Sequence, residues 1–181
     1  MNLPARVPDD DELLRLSAEH PGYRIEREPD GTLTVTPTSY RNGIRSAEAA
    51  RQLYDWGHAH GHAASANGGI TMPDKAVRAP DASWISFDRW YALTEVAREK
   101  FPRVIPDVVI EIVSDSDSYV QQRRKTARYV EQGALYAVVI DPRRRKVEEF
   151  GARPEGLALD FDRIIDAGVR PRAPQNPAAT T

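Results

Sequence analysis

The chain has 181 residues, 40% hydrophobic and 29% charged, which suits one ordinary folded domain and excludes disorder throughout. Its 25 Lys and Arg against 27 Asp and Glu leave a formal net charge of −2, so bulk charge does not mark a nucleic-acid binder and local patches must carry any such case. With no cysteine, disulfide scaffolds, thiol nucleophiles and cysteine zinc sites fall away together, and a metal must sit on oxygen or imidazole.

No apolar run approaches a spanning length, and the opening MNLPARVPDDDE lacks a basic start followed by an apolar stretch. A cytoplasmic protein without a membrane segment is expected. In chain order, Asp9 to Glu19 reads as a short helix whose opening acids suit the positive end of its dipole. Tyr23, Ile25, Leu33 and Val35 alternate with polar residues about the turn Pro29-Asp30-Gly31, which predicts a β-hairpin. From Ser39 to Gly61 the spacing of Ile44, Ala47, Ala50 or Arg51, and Tyr54, broadened by Leu53 and Trp56, predicts a long helix. Short strands near Gly69 to Met72 and Pro80 to Ser86 precede helical pieces from Phe87 to Phe101. PDVVIEIV, Pro106 to Val113, is a strand covered on both faces. A helix from Ser118 to Gln132, behind the capping candidates Ser116 and Asp117, ends at Gly133. Leu135 to Ile140 and Lys146 to Phe150 are a second buried strand and its hairpin partner. The order is that of a mixed α/β domain around one central sheet, over residues 1–168, with a tail from 169 to 181 too poor in apolar residues to pack.

Alternation along PDVVIEIV puts Asp107 and Glu111 on one face. A buried, ionised Glu111 costs several kcal/mol or more unless it is paired, with an arginine for example, or holds a hard cation. Asp81 opens another apolar strand and alone says little. Only Lys75, Lys100, Lys125 and Lys146 are lysines, and Lys125 stands on the helix after the Glu111 strand, with Gln121, Gln122, Arg128 and Tyr129 within a turn of it.

The ordered set Ala79-Pro80-Asp81-Ala82-Ser83-Trp84, Pro106-Asp107-Val108-Val109-Ile110-Glu111 with Ser114, Lys125 and Tyr129, Gly133-Ala134 and Val139-Ile140-Asp141-Pro142 resembles the Uma-type restriction endonuclease family. Tyr23-Arg24-Ile25-Glu26 and Leu159-Asp160-Phe161-Asp162 match its ends. The resemblance implies a restriction-endonuclease-like PD-(D/E)XK core, a mixed sheet flanked by helices, with an N-terminal helix and hairpin. It implies a metal-dependent DNA endonuclease in which Asp81, Glu111 and the backbone carbonyl of Ile112 hold Mg²⁺ or Mn²⁺. The superfamily's lysine, two residues beyond the second acid, is replaced here by Val113, and the resemblance moves that role to Lys125. Asp107 either adds an outer contact or only begins its strand, Tyr129 is a further site candidate, and Glu26 matches a recurrent family glutamate. A homodimer is implied for cutting both strands. A nuclease-fold binding or regulatory module without turnover is the alternative.

His58, His60 and His62 alternate where the long helix ends, as metal ligands or as an exposed terminus. Arg123, Arg124 and Arg128, and the turn Arg143 to Lys146, are candidate phosphate contacts or plain surface charge.

Overall fold

A computed structural model describes residues 6–169 apart from 67 and 116. Residues 170–181 of the tail expected over 169–181, and the capping role of Ser116, lie outside the described residues. Among the described residues no helix is long and apolar enough to cross a membrane.

Helix α1 (Asp10–Glu19) starts on a reciprocal cap, Asp9 accepting from the Glu12 N–H while Glu12 reaches back to the Asp9 N–H. The hairpin β1 (Tyr23–Arg27) and β2 (Leu33–Pro37) follows, then α2 (Tyr40–Gly57), capped by Ser39. Strands β3 (Gly61–Ser65), β4 (Ile70–Thr71), β5 (Val77–Arg78) and β6 (Ala82–Ser86) lead to the short helices α3 (Phe87–Tyr91) and α4 (Glu95–Arg98). Then come β7 (Val108–Ile112), α5 (Tyr119–Glu131), β8 (Tyr136–Asp141), β9 (Lys146–Gly151) and α6 (Phe161–Asp166).

The strands form two sheets where one was expected: a small sheet ordered β2-β1-β5-β4 and a larger one ordered β3-β6-β7-β8-β9. The β7–β8 pair is parallel and the other pairs of the large sheet are antiparallel. Strand β7 is buried on both faces because Val108, Ile110 and Ile112 join the core under α2 and α6, while Val109 packs with Tyr129 of α5. Ser118 stands at the N-cap of α5; Asp117 instead accepts from the Ser114 N–H at 2.9 Å. Past its end, Gly133 takes φ +118°, a conformation open to glycine.

The long helix ends at Gly57 rather than Gly61, and it turns a different face inward from the one its apolar spacing suggests. Ser46, Ala49, Gln52, Leu53 and Gly57 are its buried residues, whereas Tyr54 is 56% exposed. The cause is Trp84: a Cβ on Gly57 or Gly61 would lie 2.3 Å and 2.4 Å from its ring, and its indole N–H donates to the Gly57 carbonyl at 3.1 Å. Small residues therefore mark the contact face, and Ser46 is turned toward the interior.

Glu48 ties α2 to α6 through Arg163 at 3.0 Å. The hydrogen bond from Arg51 outweighs burial and, with Gln52 and Arg163, holds its carboxyl down at about 2 against an ordinary 4.5. A depressed carboxyl gives stability that is complete above the ordinary value and lost as pH falls through the native one. Glu48→Gln is therefore expected to lower the thermal midpoint above pH 4.5, with the gap to wild type closing as pH falls toward about 2; a gap independent of pH would show that Glu48 acts by packing.

Candidate active site

Asp81 immediately precedes β6, and its carboxylate is 1% exposed. One oxygen accepts from the Ile112 N–H at 2.7 Å. The other accepts from Arg24 at 3.0 Å and from Asn42 and Ser46, both at 3.3 Å. The β6–β7 ladder pairs Ala82 with Ile110. Continued by one hydrogen-bonding position it would bring Pro80 opposite Ile112, and proline has no N–H to offer the Ile112 carbonyl. The sequence thus frees a backbone oxygen from the ladder beside two acids.

Glu111 lies on the α5 face of β7 and is fully buried. It accepts from Tyr129 OH at 2.9 Å and from Gln122 Nε2 at 2.8 Å, and Lys125 Nζ stands 3.0 Å away. Gln122, Lys125 and Tyr129 lie three and four residues apart, so one helical face delivers all three. The Lys125 ammonium also meets both Glu26 oxygens at 2.8 Å, so its three N–H donors have three carboxylate acceptors. Glu26, from β1, takes in addition the Ala79 N–H at 2.8 Å, with Arg78 at 3.7 Å.

Charge is unevenly compensated across this cluster. Burial opposes ionisation of Glu26, but Lys125, Arg24 and Arg78 together outweigh it and hold its carboxyl below the ordinary range. Burial likewise opposes the Lys125 ammonium, and Glu111 and Glu26 override it, so its pKa is raised. For Glu111, burial wins: with Asp81 and Glu26 repelling its charge, Lys125 and Arg24 do not suffice, and its carboxyl is pushed up. Burial, then Glu111 and Glu26, raise Tyr129 far above the usual phenol value, which keeps it a hydrogen-bond donor.

A family model described as "Putative restriction endonuclease", Uma2, matches residues 10–162. The chain belongs to the Uma2 family. Among solved structures it is similar to the crystal structure of a putative nuclease belonging to DUF820 from Anabaena variabilis ATCC 29413, with TM-score 0.66 and 19% identity over 88% of this chain and 98% of that one. At that identity the likeness speaks for the fold. No curated protein matches.

In this Uma2 protein the structure brings Asp81, Glu111, Lys125, Glu26 and Tyr129 into one cluster. Asp107 stays out of it: roughly 13 Å along β7 from Glu111 by strand rise, it accepts from the Ser86 N–H at 2.8 Å and pairs with Arg89 at 3.0 Å. The histidines do not converge. His58 stacks on Tyr54 at 4.9 Å, whereas His62 sits on β3 among Phe87, Trp90 and Tyr91. Among the described residues no three His, Asp or Glu side chains are disposed as metal ligands. Of the arginines, Arg123 is paired with Glu148 at 2.6 Å and Arg128 with Asp74 at 2.6 Å, while Arg124 is exposed. In the turn, Arg143, Arg144, Arg145 and Lys146 all lie against acids.

Sequence reading missed Arg24, Arg78, Asn42, Ser46 and Gln122. Asn42 and Ser46, one helical turn apart on α2, carried a signal, since Ser46 falls on the face of small residues. Arg24 stood inside the quoted Tyr23-Arg24-Ile25-Glu26 match without a role, and Arg78 carried no signal, being one among many arginines.

A divalent cation is implied by the family, and the donor set fits one. Asp81, Glu111 and the Ile112 carbonyl are all hard oxygen donors, and Glu111 lacks full compensation. The side-chain oxygen of Asn42 is buried without a hydrogen-bond partner although its amide nitrogen touches Asp81. An acceptor orphaned beside the Asp81 carboxylate is a place that favours positive charge.

Proposed function

We propose that this Uma2 protein is a metal-dependent endonuclease that hydrolyses phosphodiester bonds in DNA, with Asp81, Glu111 and the Ile112 carbonyl as holders of Mg²⁺ or Mn²⁺ and Lys125 as the catalytic lysine. The observation that carries this reading is the Lys125 ammonium, reaching from α5 to 3.0 Å from Glu111. When bound, the cation would supply a Lewis acid for the phosphate oxygens and lower the pKa of a water.

The chain's own groups define the remaining roles. A lysine with a raised pKa stays protonated, so Lys125 is a donor and a charge stabiliser rather than a general base. Its three N–H groups are engaged, so one carboxylate contact must loosen for it to hold a water. Glu26, itself flanked by Arg78, keeps the ammonium in place from the small sheet, and Tyr129 and Gln122 fix the Glu111 carboxylate. Cutting both strands of a duplex would take two copies, as in a homodimer.

Wild type is expected to cut DNA with Mg²⁺ or Mn²⁺ and not with EDTA, and Asp81→Asn to cut at the background rate. Equal cleavage in EDTA, or in Asp81→Asn, refutes the assignment. The Arg24–Asp81 pair favours a second reading, a binding module without turnover, because it already neutralises one acid; binding of DNA with no cleavage in either metal would establish it.

A further inference from the structure

A cleft of about 880 Å³ opens above Asp81, walled by the first turn of α2, by β1 and β2, and by α1. Asp81 and Arg24 are among its lining residues, and Asp81, itself 1% exposed, is the one site acid that reaches it. Duplex DNA carries its phosphates on the outside of a stiff double helix, and proteins that grip it spread rows of cations over a broad surface. This cleft offers neither breadth nor such a row. Among the residues lining it Arg24 and Asp81 alone are charged, and they are paired with each other. Its volume lies within the range of pockets that enclose one compact ligand, roughly 300–1,000 Å³.

Instead it presents aromatic rings. Tyr40 is 89% exposed and Tyr23 47%, and Phe101 lines the same cleft. Single-strand grooves combine such stacking rings with cations along the backbone; here the rings line the cleft and Arg24 is its one cation. The start of α2 adds N–H groups of the kind that donate to phosphate oxygens.

We propose that the substrate is a DNA strand unpaired at the point of cutting, threaded through this cleft so that its backbone reaches Asp81 while a base stacks on Tyr40. The inference takes its ligand from the nuclease reading and narrows it. A single strand needs a single site, so the requirement for two copies falls away for such a substrate.

Fluorescence anisotropy in Ca²⁺, where cleavage is blocked, can compare a labelled single strand, the blunt duplex of the same sequence, and that duplex with an unpaired flap. The single strand and the flap are expected to bind at least about tenfold more tightly than the blunt duplex. Stacking of about 1 kcal/mol or more per base makes Tyr40→Ala weaken single-strand binding by about fivefold or more, with Tyr40→Phe close to wild type. Tyr40 is too exposed for its loss to threaten the fold. Blunt duplex bound as well as the single strand, no effect of Tyr40→Ala, or no binding at all each overturns the proposal. Single-strand preference that depends on Tyr40 but without cleavage in Mg²⁺ would support the cleft and count against the nuclease reading; efficient cutting of blunt duplex with no Tyr40 dependence would do the reverse.

Discussion

Lys125→Met is expected to reduce metal-dependent cleavage by about 10²–10³-fold, the usual effect of deleting a donor aimed at charge that develops in the transition state. Methionine keeps most of the stem and removes the ammonium that Glu26 and Glu111 share. The same change leaves two buried carboxylates without their common partner, and breaking a buried pair costs about 3–5 kcal/mol. The sign with pH follows from the raised pKa of Lys125: its contribution is whole below the ordinary lysine value of 10.5 and is lost only as pH rises through the native one. In the variant the two carboxylates take up protons more readily, so the stability gap should narrow from neutral pH toward acid. Urea midpoints at several pH values check this beside cleavage assays on folded protein. Adding Val113→Lys, on the same face of the strand as Glu111, should restore a fraction of cleavage, limited by placing a charge where a buried valine packs. Full cleavage by Lys125→Met would sink the role given to Lys125.

Glu111→Gln is expected to raise the melting temperature at neutral to mildly alkaline pH while Mn²⁺ binding by calorimetry and cleavage are lost. Glu111 is the member of the cluster whose charge folding disfavours, through burial first and then Asp81 and Glu26. A carboxyl whose native pKa is raised binds its proton more tightly folded than unfolded, so stability falls as pH rises from the ordinary 4.5 through the native value. Glutamine removes that penalty and still accepts from Tyr129 and Lys125. Each kcal/mol recovered raises the melting temperature by about 2–4 °C in a domain of this size. A purely structural ion pair would give the opposite sign, since Lys125 would lose a carboxylate. A melting temperature that drops, or Mn²⁺ binding that persists, refutes the assignment of Glu111. Stability held back at a functional site is a common trade.

What could be read from the sequence follows from where the controlling contacts lie. The strand Val108–Ile112 was legible because a β-branched run interrupted by one acid has few homes, and α5 because Gly133 closes it. Strand β3 was not: Gly-His-Ala-Ala-Ser has no strand preference and exists by pairing with β6. The inward face of α2 was misplaced because hydrophobicity ranks Tyr54 above Gly57, while the contact with Trp84 demands the absence of a side chain. Asp81, Glu111 and Lys125 could be named from the family resemblance. The partners of Glu26 could not, because no local pattern links a hairpin residue to a helix 99 residues away.

That separation bears on the order in which the molecule assembles. The Glu26–Lys125 and Arg24–Asp81 pairs close loops of 99 and 57 residues, and both join the small sheet to elements of the large one. Long loops are closed late, after local hairpins and helices have formed, because their chain entropy must be overcome before the contact is gained. Until the small sheet docks, Glu111 and Lys125 remain hydrated and the cluster has none of its buried character. Refolding chains should therefore acquire their helices and most of their sheet before they acquire the chemistry, and nascent or partly unfolded protein would be catalytically silent.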